Sequence, residues 1–138
     1  DRPLYGVLHR PLKARPDAPV VIHCHSLGVE QLTVYRAEVL LARSAAALGL
    51  PVFRWHARGH GDSAGDFADV TLERLTEDAL AAAAEARARS GATRVIWLGV
   101  RFGRWSRRAQ AGAVEAAVGS EHVCAKPLRD GGEDCAPG

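Results

Sequence analysis

From Val20 to Gly99 the chain alternates short, continuous apolar runs with longer stretches in which apolar residues recur at helical spacing. Val20-Val21-Ile22-His23-Cys24 is a β-branched run of the kind that is buried on both faces of a sheet. Residues 33–48 follow, with Val34, Leu41, Ala45 and Leu48 as the apolar face and Gly49 as the stop, and they predict an amphipathic helix. Val52-Phe53-Arg54-Trp55 reads as the next strand. After a glycine-rich loop, residues 72–89 predict a second helix, with Thr71 as its cap and Gly91 as its stop. Val95-Ile96-Trp97-Leu98 is a further buried strand. Ahead of these elements, residues 4–9 form a short edge strand closed by Pro11, and the two prolines of residues 15–19 mark a surface turn. Strands and helices at this spacing imply right-handed crossovers and a parallel sheet covered by helices, so the expected fold class is α/β.

The rhythm stops near Gly103. Residues 104–138 contain five large apolar side chains, Trp105, Val114, Val118, Val123 and Leu128, and can bury little. The expected organisation is therefore an ordered part over residues 1–103 and a poorly ordered tail over residues 104–138. Written in GC-rich codons, Gly103-Arg104-Trp105-Ser106-Arg107-Arg108-Ala109 becomes Gly-Ala-Leu-Val-Ala-Ala-Arg when one G is restored after the first codon. That aliphatic run is what a helix packed on a sheet requires, which makes a one-base deletion the preferred account of the tail and a divergent terminus the alternative.

Composition narrows the classes of function. With 18 Lys and Arg against 16 Asp and Glu, the net charge of +2 gives no basic field for nucleic acid. A 47% hydrophobic content excludes a disordered chain. The longest apolar run, Ala79 to Ala84, is far short of the ~20 residues of a membrane span. The opening Asp1-Arg2-Pro3 is unlike a signal peptide and points to a missing true N-terminus. Cys24, Cys124 and Cys135 lack CxxC spacing, which argues against a disulfide framework or zinc module and for a reducing, cytoplasmic setting.

In α/β sheets the chemistry sits at the carboxyl ends of the strands. The loops there read His25-Ser26-Leu27-Gly28, then Arg58-Gly59-His60-Gly61-Asp62-Ser63-Ala64-Gly65-Asp66-Phe67, then Gly99-Val100-Arg101-Phe102-Gly103. Together they resemble the α/β-hydrolase superfamily, in its serine-aminopeptidase-like branch of esterases and lipases. In that branch a His-Gly-x-Gly turn follows the third strand, an Arg-Gly-His-Gly-x-Ser-x-Gly loop the fourth and a Gly-x-Ser-x-Gly elbow the fifth. The segment from Gly61 to Phe67 and an arginine at the elbow centre look most like the hydrolase-like proteins found beside exosortase systems. The likeness covers residues 3–103, about the first half of such a domain.

The resemblance implies a hydrolase of ester, thioester or amide bonds that needs no cofactor or metal. It implies an oxyanion hole from the Leu27 and Phe102 backbone N–H groups, with Ser26 standing where the family usually has glycine. His25, Gly28, Arg58, Gly59, His60, Gly61, Asp62, Ser63, Gly65, Gly99 and Gly103 are then structural residues of the loops. His23 and His25 are strand-end histidines bonded locally, since no third ligand has metal spacing. Gly59-x-Gly61-x-x-Ala64 formally matches a dinucleotide fingerprint, but it opens no helix and no acidic residue ends the next strand. Asp62 and Ser63 are accordingly turn residues with side-chain to backbone bonds.

Arg101 occupies the nucleophile position and cannot form an acyl intermediate. The family's Asp and His come from later strands, and His122 does not inherit the role. The expectation is an inactive fragment of a hydrolase whose ligand is a small ester or amide. Two other readings stand beside it: a non-catalytic module that captures an anionic small molecule through Arg101, and a non-functional translation product. Val95 to Leu98 would lie inside a complete sheet, so self-association through an exposed apolar edge is expected.

Overall fold

The computed structural model describes residues 3–99, and the readings above that concern residues 100–138 lie outside it. Within it the strands are β1 (Gly6–His9), β2 (Val20–Cys24), β3 (Val52–Trp55) and β4 (Val95–Gly99). The helices are α1 (Val29–Ala47) and α2 (Leu72–Ser90), with a 3₁₀ turn at Phe67–Asp69. The sheet order is β1-β3-β2-β4. From β2 the chain crosses to β3 on one side, and from β3 it returns across β2 to β4 on the other. With right-handed crossovers this reversal puts α1 and α2 on opposite faces.

β2 pairs in parallel with both β3 and β4, as the sequence predicts. The edge strand β1 is antiparallel to β3, so the sheet is mixed rather than wholly parallel. A four-residue strand can pair in either direction, and here Gly6 sits opposite Trp55. A Cβ at Gly6 would lie 2.5 Å from the Phe53 ring, so glycine is what lets β1 close over that side chain.

The main core lies between the sheet and α2. Val20, Ile22, Phe53, Trp55, Val95 and Trp97 meet Leu75, Ala79, Ala82, Ala83 and Ala86 of the helix. Alanine is the best helix former and the smallest side chain with a Cβ, so this helix face lies close to the sheet and both tryptophans fill the layer. Thr71 accepts the Arg74 N–H at 3.3 Å, and Gly91 closes the helix with φ 73°, in agreement with the sequence reading.

α1 departs from its predicted form in two ways. It begins at Val29 rather than residue 33, because Gly28 turns the chain directly into the helix with φ 60° and ψ −138°, without any side-chain cap. Its inner face carries Gln31, Glu38, Ala42 and Ala46, whereas Leu41 and Leu48, predicted to be buried, are 45% and 64% exposed. The sheet surface under the first half of α1 is polar, formed by His23 and Arg54, and it draws Glu38 inward in place of a leucine. A smaller apolar cluster, Val21, Ala42 and Val52, lies under the second half.

Candidate functional site

The reversal of the chain brings the loops after β2 and β3 together at the carboxyl ends of the strands, where α/β sheets place their ligands. His25 fastens one loop to the other. Its Nε2 accepts the Ala57 N–H at 2.9 Å, which leaves the proton on Nδ1, 2.6 Å from the Ser26 carbonyl it donates to. Burial lowers its pKa to about 4, so the ring is neutral with both nitrogens committed. It has no free basic nitrogen for proton transfer.

Glu38 braces the same turn from α1: the Ser26 backbone amide bonds to its carboxylate. Burial pushes the Glu38 pKa up, while Arg54 and the Ser26 amide pull it down. Its Oε1 lies 4.0 Å from His23 Nε2, and both atoms are buried without a hydrogen-bond partner among the described residues. The Leu27 N–H makes no hydrogen bond among the described residues and remains available as a donor.

The loop after β3 is built on glycines at positive φ. A Cβ at Gly59 would lie 2.5 Å from the Asp66 carbonyl oxygen, one at Gly65 would lie 3.1 Å from the Gly59 nitrogen, and Gly61 is pressed against the His56 ring. Ser63 Oγ donates to the His56 carbonyl at 2.5 Å and accepts the Tyr5 N–H at 2.8 Å. These bonds give Ser63 a structural use. The Asp62 N–H donates to His56 Nδ1 at 3.1 Å, with the Asp62 carboxylate 3.8 Å from the same nitrogen. The Gly59, His60, Asp62 and Ser63 amides are all spent inside the loop, so they cannot cradle a phosphate in the manner of a dinucleotide turn.

Two residues that the sequence reading did not single out hold this region. His56, 5% exposed, is the centre around which the loop closes, with the rings of Tyr5 and Tyr35 tilted against it and that of His25 edge-on. Asp78, 1% exposed, receives the Arg58 backbone N–H at 2.9 Å and its Nε–H at 2.7 Å. Both had a signal. His56 ends a strand as His25 does, and Asp78 is the one charged residue on the otherwise apolar inner face of α2. Asp78→Ala should destabilise the protein by about 1–2 kcal/mol, because it removes the buried carboxylate that accepts both the part-buried Arg58 amide and the partly exposed Arg58 guanidinium. Glu77→Ala, which removes an exposed contact to Arg58 at 3.4 Å, should cost under about 0.5 kcal/mol. Urea denaturation of the two variants checks the difference, and equal midpoints would refute the anchoring role.

His60 donates through Nδ1 to the Arg58 carbonyl at 3.2 Å, and its buried Nε2 has no partner among the described residues. Among the described residues no three His, Cys, Asp or Glu side chains are arranged to hold a metal ion. A cavity of about 390 Å³ opens beside the loop, but its Arg58 and Arg74 are paired with Asp78 and Asp69. Gly99 ends β4, whereas Arg101, Phe102 and Gly103 lie outside the described residues.

No family model matches the sequence, and no curated protein matches it. Solved structures do. A candidate hydrolase of Agrobacterium vitis S4 matches 88% of this chain at TM-score 0.65 and 23% identity. Est1E of Butyrivibrio proteoclasticus, solved with ferulic acid, matches 85% at TM-score 0.64 and 24% identity. XC6422 of Xanthomonas campestris, a serine hydrolase without a lid, matches 83% at TM-score 0.60 and 26% identity. The chain spans 44%, 46% and 57% of their lengths. An open mixed sheet flanked by helices, with these likenesses, is a truncated α/β-hydrolase fold. The solved structures it resembles are α/β hydrolases.

Proposed function

We propose that this chain supplies the first part of an acyl-transfer domain for small esters, thioesters or amides, and that by itself it does not turn over substrate. The carrying observation is the turn after β2: His25 and Glu38 hold it from two sides while the Leu27 N–H makes no bond among the described residues. A preorganised amide of this kind is what a developing oxyanion requires. The second donor is Phe102, and Arg101 stands at the elbow in place of a nucleophile. The wider setting is cytoplasmic, and the branch is the one found beside exosortase systems, on the sequence of residues 61–67. β4 borders the described sheet, and self-association along that edge belongs to the same reading.

The mechanism at this half-site is limited to electrostatics. Nucleophilic attack needs an oxygen or sulfur and a base to accept its proton. His25 and His56 each accept an amide N–H at one ring nitrogen and carry the proton on the other. A complete hydrolase stripped of its triad retains roughly 10³–10⁴ over water, and half a site retains less. The purified chain should show no hydrolysis of activated esters above a protein control, and no labelling by a serine-directed phosphonate. Arg101→Ser should remain unlabelled. Stoichiometric labelling of that variant would overturn the proposal and would make His60 Nε2, the unpartnered ring nitrogen, the first base to test.

A further inference from the structure

Arg10, Lys13 and Arg43 belong to none of the sequence motifs, and the fold gathers them at one place. β1 ends at His9, and the following segment runs back past the end of α1, where the Arg15 N–H donates to the Gly49 carbonyl at 3.0 Å. Between that segment and the helix lies a cavity of about 560 Å³. Its wall is His9, Arg10, Leu12, Lys13 and Arg43, above the small side chains of Ala46 and Ala47.

Among the described residues the cavity wall contains no carboxylate. Arg10, Lys13 and Arg43 form no ion pair among the described residues. The end of α1 contributes roughly half a negative charge, which three full positive charges exceed. A fourth cation stands behind the wall. Arg54, 7% exposed, donates its Nε–H to His9 Nε2 at 3.0 Å, so the His9 proton sits on Nδ1 and the ring can donate a hydrogen bond. Burial first, and then the positive charges of Arg54 and Arg43, hold His9 below its ordinary pKa.

We propose that this cavity is a binding site for a small phosphate-bearing anion. Two guanidinium groups offer planar pairs of donors that match phosphate oxygens, the Lys13 ammonium adds a point charge, and His9 adds a neutral donor. The volume falls within the ~300–1,000 Å³ of ordinary small-molecule sites. None of these residues belongs to the turn after β2 or to the glycine loop, so the site stands or falls independently of the hydrolase reading.

The test is a titration of the full ¹⁵N-labelled chain with inorganic pyrophosphate at low salt, following backbone amides and the His9 ring. Saturable shifts are expected at Arg10, Lys13 and Arg43, with the His9 pKa rising on binding. The double variant Lys13→Ala/Arg43→Ala should lose at least tenfold in affinity. Arg74→Ala/Arg89→Ala, which removes two exposed arginines elsewhere, should bind as the parent does. Far-UV circular dichroism confirms that each variant is folded. No saturable response, or equal affinity in the parent and the Lys13/Arg43 variant, overturns the site.

Discussion

Acidification through the range from 6.5 down to about 4 is expected to cost the protein several kcal/mol, enough to unfold a small domain of ordinary stability, ~5–15 kcal/mol. The cause is buried, neutral histidine. His23 and His25 are lowered to about 4, first by burial and then by nearby positive charge, and His9, His56 and His60 shift in the same direction. Between 6.5 and about 4 the unfolded chain takes up protons that the native state refuses, so stability is complete above 6.5 and falls as the pH drops. Each of the two deepest histidines contributes about 3 kcal/mol across that window. Glu38 opposes them: its raised pKa means that the native state binds this proton more readily, which returns part of the loss. Asp62 similarly favours the charged form of His56. Urea midpoints measured at successive pH values should fall steadily through the window. His23→Gln should reduce the slope by up to about 1.4 kcal/mol per pH unit, the value for one proton. A flat profile, or an unchanged slope in that variant, would show that the buried imidazoles are not responsible.

Gly61→Ala carries the next largest effect. Gly61 has φ 51°, and a Cβ there would sit against the His56 Nδ1 atom and 2.7 Å from Cε1. The ring cannot move away easily, because its Nδ1 holds the Asp62 amide and its neighbours are Tyr5, Tyr35 and His25. Left-handed strain of about 1–2 kcal/mol and overpacking of about 1–3 kcal/mol then act together. The expected loss is about 3 kcal/mol, or roughly 15 °C in Tm for a folded unit of this size. Gly91→Ala isolates the conformational part, since Gly91 has φ 73° and nothing lies within 4 Å of its added Cβ. That variant should lose only about 1 kcal/mol. If the two alanine variants melt together, the close approach of Gly61 to His56 has no energetic weight.

The amino-acid sequence by itself determined the elements whose causes are local. The β-branched runs of β2 and β4, and the Thr71 cap and Gly91 stop of α2, are short-range signals, and the structure bears them out. The glycines of the loop after β3 were equally legible, because positive φ at close backbone approach is a requirement that few residues other than glycine meet. Tertiary structure alone decided the rest. The direction of β1 depends on its partner β3, and no pattern within four residues encodes it. The orientation of α1 depends on the polar patch of His23 and Arg54 beneath it, so counting its own apolar positions selected Leu41 and Leu48 for a core they do not enter. His25 to Ala57 and Arg58 to Asp78 join residues 32 and 20 positions apart, and the cations around His9 come from the segment after β1, from α1 and from β3. Such contacts arise where separate elements meet, and a buried polar atom such as His25 Nε2 or Asp78 takes whichever partner the packing brings within reach, however distant in the chain.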